Sequence, residues 1–335
     1  RARKWAVSLL AGLFTTCYST ALMTQRNMTL QRTMKAAKES PLPATEQETA
    51  WIPYGQWKRN RPHTVVGRIV VRARLWSSQL KNARPLFVYL PPSYARQMDR
   101  RYPVLYMQDG QNLFDATTSY TSEWRVDETM QQLSREGLEA IVVGVPHGRD
   151  QRIAEYSPFA DPYHGPGRAD RYLAFLADTV KPLVDRDFRT LPDPEHTGIL
   201  GSSMGGLVSL YAFFRCPHLF GFAGVMSPSL WLANDAIFTF VEGAALNPGR
   251  LYMDVGTREL GGSEAERSAR SRSRQYYASV RRMKRLLVKK GYRPRHDLLV
   301  VEEPFAGHNE EAWANRLPNA LRFLLYGSLH SPDGA

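Results

Sequence analysis

The sequence predicts an α/β fold, a mostly parallel central sheet with helices on both faces. Three observations predict it. From residue 102 onward, short apolar runs alternate with helix-period segments, the signature of repeated strand–helix units. These runs are apolar throughout rather than at every second residue, as expected of strands covered on both faces. The chain has 335 residues, 43% hydrophobic and 23% charged, enough length and an ordinary enough composition to bury one large core.

The elements follow in order. "RARKWAVSLLAGLF" joins a basic start to a short apolar run, and "CYSTA" offers small residues for cleavage. Residues 1–22 therefore read either as a secretory signal peptide or as sequence ahead of a later start, since the first methionine is Met23. The first case implies a periplasmic or secreted protein, the second a cytoplasmic one. The run is too short to span a bilayer, so no transmembrane segment is expected in the mature chain. Residues 23–60 are polar, carry Pro41, Pro43 and Pro53, and lack a sustained period; they read as a linker or partly disordered arm. Residues 61–328 read as the folded domain and 329–335 as a tail.

Within the domain, "TVVGRIVVRARLW" and "RPLFVYLPP" are strands rich in β-branched and aromatic residues. The strands "YPVLYMQ", "AIVVGVP", "TGILGS", "GFAGVMS", "RLYMDVG" and "DLLVVEEP" follow. Helices are expected at 124–135, 170–184, 204–214, 235–242, 276–290 and 310–326 between and after them. Two antiparallel strands leading into such a sheet fit the α/β-hydrolase plan.

The net charge of +12 raises the question of a polyanionic partner, but ten Lys/Arg against three Asp/Glu lie in residues 1–64, more than half of the excess. The main exception is "RSARSRSRQYYASVRRMKRLLVKK", residues 267–290, whose second half has Val280, Met283, Leu286 and Leu287 on one face. A solvated basic face is the favoured reading; an anionic-substrate patch is the minority one. No nucleic-acid motif accompanies the charge, so no nucleic-acid partner is expected. Cys17 and Cys216 make no disulfide framework, and Cys216 reads as a packing thiol.

Chemistry enters at "GILGSSMGG". Gly201-Ser202-Ser203-Met204-Gly205 matches G-x-S-x-G. A chain this long matches by chance about once in ten, so context must decide. The motif needs a strand before and a helix after, because the serine sits on a strained strand-to-helix turn. "TGIL" and "MGGLVSLYAFF" supply both. Ser203 is thus the candidate nucleophile. A serine hydroxyl needs a base. His308, in the loop after the last strand, fits the chain order Ser, acid, His; His218 ends a helix and His296 opens a strand, and both fit less well. The acid belongs after the strand "RLYMDVG". Asp254 lies within that strand. Glu259 lies past it, in the loop at its carboxyl end, where such sites are built, and is favoured. The oxyanion hole is expected from the N–H groups of Met204 and Gln111. Gly110 allows close backbone approach there, and Asp109 and Asn112 either brace the loop or meet substrate.

These segments resemble a known family. "VYLPPSY", "YPVLYMQDGQNLFD", "EWRVDET", "RIAEYSP", "GSSMGGLVSLY", "MSPSLW", "DVGTRE" and "AGHNEEAW", in this order, are similar to the esterase family of α/β-hydrolases. That family includes enterochelin-esterase-like siderophore hydrolases, S-formylglutathione hydrolases and several carbohydrate esterases. The resemblance covers roughly residues 65–326. It implies Ser203 as nucleophile, His308 as base and Glu259 as acid. It also implies that Trp124 and Trp231 lie near the pocket, with core packing as the alternative. Arg152 and Glu155 either touch substrate or pair with each other.

The expectation is therefore a serine carboxylic-ester hydrolase acting on a small-molecule ester, a siderophore or carbohydrate ester by resemblance. Two rivals stand beside it: an acyltransferase on the same triad, and a non-catalytic binding protein on a hydrolase scaffold. No zinc-type spacing of His or Cys is present, so neither a metal nor a cofactor is called for.

Overall fold

The computed structural model describes residues 49–261 and 267–326. The signal-peptide reading of residues 1–22, Cys17 and the tail lie outside the described residues. Nine strands form one sheet in the order β1-β2-β3-β5-β4-β6-β7-β8-β9. They are β1 Trp51–Pro53, β2 Arg68–Ser77, β3 Asn82–Leu90, β4 Val104–Gln108, β5 Ile141–Val145, β6 Thr197–Ser202, β7 Phe222–Met226, β8 Arg250–Gly256 and β9 Leu298–Glu303. The pairs β1–β2, β2–β3 and β3–β5 are antiparallel. Every pair from β5–β4 to β8–β9 is parallel.

The helices are α1 Tyr54–Trp57, α2 Val126–Ser134, α3 Arg152–Tyr156, α4 Ala169–Phe175, α5 Lys181–Asp187, α6 Met204–Arg215, α7 Leu232–Gly243, α8 Arg267–Lys290 and α9 Glu310–Tyr326. A π-helical stretch, Leu176–Val180, joins α4 to α5. The period-2 alternation of strand side chains sorts the core into two layers. Val104, Tyr106, Ile199, Ala223, Val225, Leu251 and Met253 face one way, with α6, α7 and the apolar stripe of α8. Leu105, Met107, Leu200, Phe222, Met226 and Tyr252 face the other way, with α2 and α9.

Residues 51–57, expected within the arm, instead form β1 and α1. Trp51 and Ile52 register against Arg72 and Val71, and Tyr54 is buried in the core layer of α2 and α9. The short apolar-aromatic stretch "WIPYGQW" gains its burial from β2, which no local period reports. Helix α8 begins nine residues earlier than its apolar stripe suggests, because its first turns are polar. Cys216 is half-buried against the core, and burial pushes its thiol up. Among the described residues, no helix is long and apolar enough to cross a membrane.

Candidate active site

The site is assembled where α/β sheets build them, at the carboxyl ends of the parallel strands. β6 ends at Ser202, and Ser203 follows with φ 56° and ψ −120° before α6 begins at Met204. A non-glycine residue seldom adopts a positive φ, and here the neighbours enforce it. Ser203 N–H donates to Met226 O at 3.0 Å, and Leu207 and Ser229 N–H donate to Ser203 O, each at 3.0 Å. Gly201 makes the turn possible: a Cβ there would sit 2.7 Å from the Gly205 carbonyl carbon and 2.5 Å from Gln108 Oε1. Ser203 Oγ lies 3.3 Å from Ser229 Oγ.

His308 stands in the loop between β9 and α9. Its Nδ1 lies 2.6 Å from Glu259 Oε2, and its backbone N–H donates to Glu259 O at 3.0 Å. Tyr276 and Trp313 flank the imidazole edge-on, with ring centroids 5.4 and 5.0 Å away. The Glu259 side chain is fully buried. Its Oε1 accepts Ser227 Oγ–H at 2.7 Å and the N–H of Gly256. A buried carboxylate supplied with donors on one oxygen presents the other to a histidine, which fixes both ring tautomer and orientation. Ser203 and His308 line the same cleft and make no direct hydrogen bond in this structure. Contacts between a nucleophile and its base are often long in a substrate-free enzyme.

Asp254, the alternative acid, is committed elsewhere. It is wholly buried and accepts from Arg316 Nε at 3.0 Å, Tyr252 Oη at 3.0 Å and Ser227 N–H at 3.0 Å. Like Tyr252, two residues before it, it faces the α9 side of the sheet.

On the oxyanion side, Met204 N–H opens α6 and so has no intrahelical acceptor. Gln111 lines the cleft with Ser203. Gly110 passes so close to β5 that a Cβ would lie 2.5 Å from the Gly144 carbonyl carbon. Asp109 and Asn112 brace this loop. Asp109 takes a two-pronged pair from Arg152, with both contacts at 2.7 Å. Asn112 donates to Glu310 Oε1 at 3.2 Å and accepts Tyr120 N–H at 3.1 Å. Arg152 and Glu155 do not pair with each other: Glu155 instead holds the buried Arg84 at 2.7 Å. Arg152 nevertheless lines the cleft, and the pair with Asp109, despite burial, keeps its guanidinium charged.

Two lobes meet at Ser203 and His308. The smaller, about 480 Å³, is walled by Trp124, Trp313, Arg152, Tyr120, Thr121 and His147. Trp124 is both core and wall: it is buried and its ring centroid lies 5.5 Å from that of Trp313. Burial pushes the His147 imidazole down. Its Nδ1 accepts Arg149 N–H at 2.8 Å, so Nε2 carries the proton. The larger lobe, about 760 Å³, is walled by Trp231, Leu260, Tyr276, Arg272, Arg282 and Arg285. Trp231 is 49% exposed and stands at the rim. The basic face of α8 thus overlooks the cleft, where the sequence favoured a face turned only to solvent. Sequence reasoning also missed Ser227, Ser229, Tyr276, Trp313 and Arg316. The Ser-Pro-Ser of "MSPSLW" hinted at the two serines alone.

The family model described as "Putative esterase" matches residues 77–324. The chain belongs to this esterase family. This esterase is 26% identical over 254 residues to the uncharacterized protein YbbA of Bacillus subtilis, covering 74% of this chain and 94% of that one. It is 31% identical over 178 residues to the siderophore enterobactin esterase of Emericella nidulans, covering 46% of this chain and 57% of that one. Among solved structures, the siderophore hydrolase EstB from Aspergillus nidulans superposes with TM-score 0.61 at 18% identity, covering 86% of this chain and 98% of that one. The fold is that of the α/β-hydrolase esterases, and the chain is a carboxylic-ester hydrolase.

Proposed function

We propose that this esterase works through a Ser203–His308–Glu259 triad and an acyl-enzyme intermediate. The observation that carries the reading is the 2.6 Å contact between His308 Nδ1 and the buried Glu259, beside a serine held at positive φ in the same cleft. His308 Nε2 takes the proton of Ser203 Oγ as the oxygen attacks the ester carbonyl. The N–H groups of Met204 and Gln111 receive the oxyanion. The C–O bond to the alcohol breaks, and His308 returns the proton to the leaving oxygen. Water then attacks the acyl-enzyme, giving its proton to His308, and the carboxylic acid leaves as Ser203 is reprotonated.

For the substrate we propose an anionic aromatic ester of the siderophore kind in preference to a neutral carbohydrate ester. Among the described residues, Arg272 and Arg285 make no ion pair at the cleft wall, while Arg282 pairs with Asp235 at 2.7 Å. Tyr276 and Trp231 add aromatic surface. The names of the enterobactin and siderophore hydrolases cited above agree with this choice.

A fluorophosphonate probe followed by peptide mapping tests the nucleophile. One equivalent of label on the peptide holding Ser203 is expected, with none in Ser203→Ala. Label on another serine, or no label on folded protein, contradicts the triad.

A further inference from the structure

Away from the cleft, Glu123, Asp127 and Glu128 converge where the chain enters α2. Each brings one carboxylate oxygen, and the three oxygens lie within 4.8 Å of one another. Like charges so placed repel and need a partner. Asp127 is wholly buried. Its Oδ2 accepts Val66 N–H at 2.7 Å, and Glu123 Oε2 accepts Thr64 Oγ1–H at 2.7 Å. Asp127 Oδ1, Glu123 Oε1 and Glu128 Oε2 are buried without a hydrogen-bond partner.

Arg125, which lies between Glu123 and Asp127 in the chain, and Lys58 bind other groups. Lys58 lies 3.5 Å from Asp115, and Arg125 Nη2 donates to Asn315 Oδ1 at 3.3 Å. The charges that act on Glu123 are themselves carboxylates, Glu128 and Asp115. An orphaned buried carboxylate oxygen costs far more than a paired one, and here each of the three converging residues carries one.

We propose that Glu123, Asp127 and Glu128 bind a calcium ion. The donor set is oxygen only, which selects a hard cation over zinc or copper. Calcium accepts irregular geometry and completes a shell of six to eight oxygens with water. Magnesium, by contrast, would demand a near-ideal octahedron. The ion would tie the 64–66 segment to the start of α2. Trp124, next to Glu123, lines the cleft and donates its backbone N–H to Asn112 O at 2.9 Å. The site therefore supports one wall of the cleft, and no step of ester hydrolysis runs through the ion.

Terbium, which occupies calcium sites and is sensitised by a neighbouring tryptophan, provides the probe. It would be titrated into the chelator-treated full chain while tryptophan-excited emission is read. Saturable emission, displaced by calcium, is expected. Asp127→Asn and Glu128→Gln should each weaken it at least ~10-fold, while Glu136→Gln, in the turn after α2, should not. Calcium should also raise the Tm of the wild type by at least ~2–4 °C and leave Asp127→Asn unmoved. If Asp127→Asn fails to fold, Glu128→Gln carries the same readouts.

Absence of saturable emission and of a calcium-dependent Tm shift would overturn the site and assign its place to a proton shared by Asp127 and Glu128. Burial and Glu128 push the Asp127 carboxyl up to about 9, which makes that the competing occupant. Binding unchanged in both variants would overturn it equally.

Discussion

Ser227 shows how one hydroxyl can orient a buried carboxylate, here the acid of the proposed triad. Its Oγ accepts from Trp313 Nε1 at 3.1 Å and Arg316 Nη2 at 3.0 Å. Its single hydrogen is therefore directed at Glu259 Oε1, 2.7 Å away. Ser227→Ala should lower kcat about 10-fold with little change in KM, the effect of losing one hydrogen bond to a charged group. Steady-state kinetics on a neutral ester check it, and a rise in KM with kcat intact would refute the positioning role. Glu259→Gln should cost more, at least ~10²-fold in kcat, because it disturbs the imidazole tautomer directly. Ser203 and His308 were legible because their signals are local: glycines around a serine, and a histidine in a strand-end loop. The Ser227 support was not. Trp313 and Arg316 lie 86 and 89 residues away in the chain, and only the sheet order brings them together. For the same reason Arg152 and Glu155, close in sequence, find partners in Asp109 and Arg84 instead of each other.

At the scale of the element, α8 decides what the cleft attracts. Val280, Met283 and Leu287 bury one face, and Arg272, Arg282 and Arg285 then fall on the face toward Ser203 and His308. The amphipathic period was readable in the sequence. Which way the charged face turned was not, since that depends on α8 docking beside β8 and not on its own residues. Arg285→Glu should lower kcat/KM for an anionic aromatic ester at least ~10-fold more than for a neutral one of equal size, and added salt should shrink the difference. Equal losses on both esters would refute the anionic wall.

One ion pair between α8 and β9 should make this docking sensitive to pH. Hydrogen bonding from Arg281, reinforced by Tyr277, holds the Glu302 carboxyl at about 2, well below its ordinary range. Arg281 grips it through two contacts of 2.8 Å. Because the folded-state value is the lower one, this contribution is present above the ordinary Glu value near 4.5 and is lost as pH falls toward 2. Glu302→Gln should flatten that part of the acid-unfolding curve by a small amount, since the pair is partly exposed and screened. Denaturant melts between those pH values check it, and an unchanged slope would remove Glu302 from the account.

Across the whole molecule, the parallel strands β4 to β9 carry nearly every candidate site residue at their carboxyl ends. Asp109 to Asn112 follow β4, His147 follows β5, Ser203 follows β6, Ser227 to Trp231 follow β7, Glu259 follows β8 and His308 follows β9. The alternation of apolar runs and helices made this sheet legible in advance, because buried parallel strands need continuous apolar sequence. The edge was harder. β1 has three residues and no period long enough to read, and it exists because β2 offers it a partner. Whether Ser203 is the nucleophile is tested by paired kinetics. Wild type and Ser203→Ala would be assayed side by side on nitrophenyl esters from acetate to octanoate and on a catecholate siderophore ester. Turnover by the wild type on at least one of these is expected, with a loss in Ser203→Ala of more than ~10³-fold in kcat/KM and the fold intact. Equal turnover by the two proteins would contradict it.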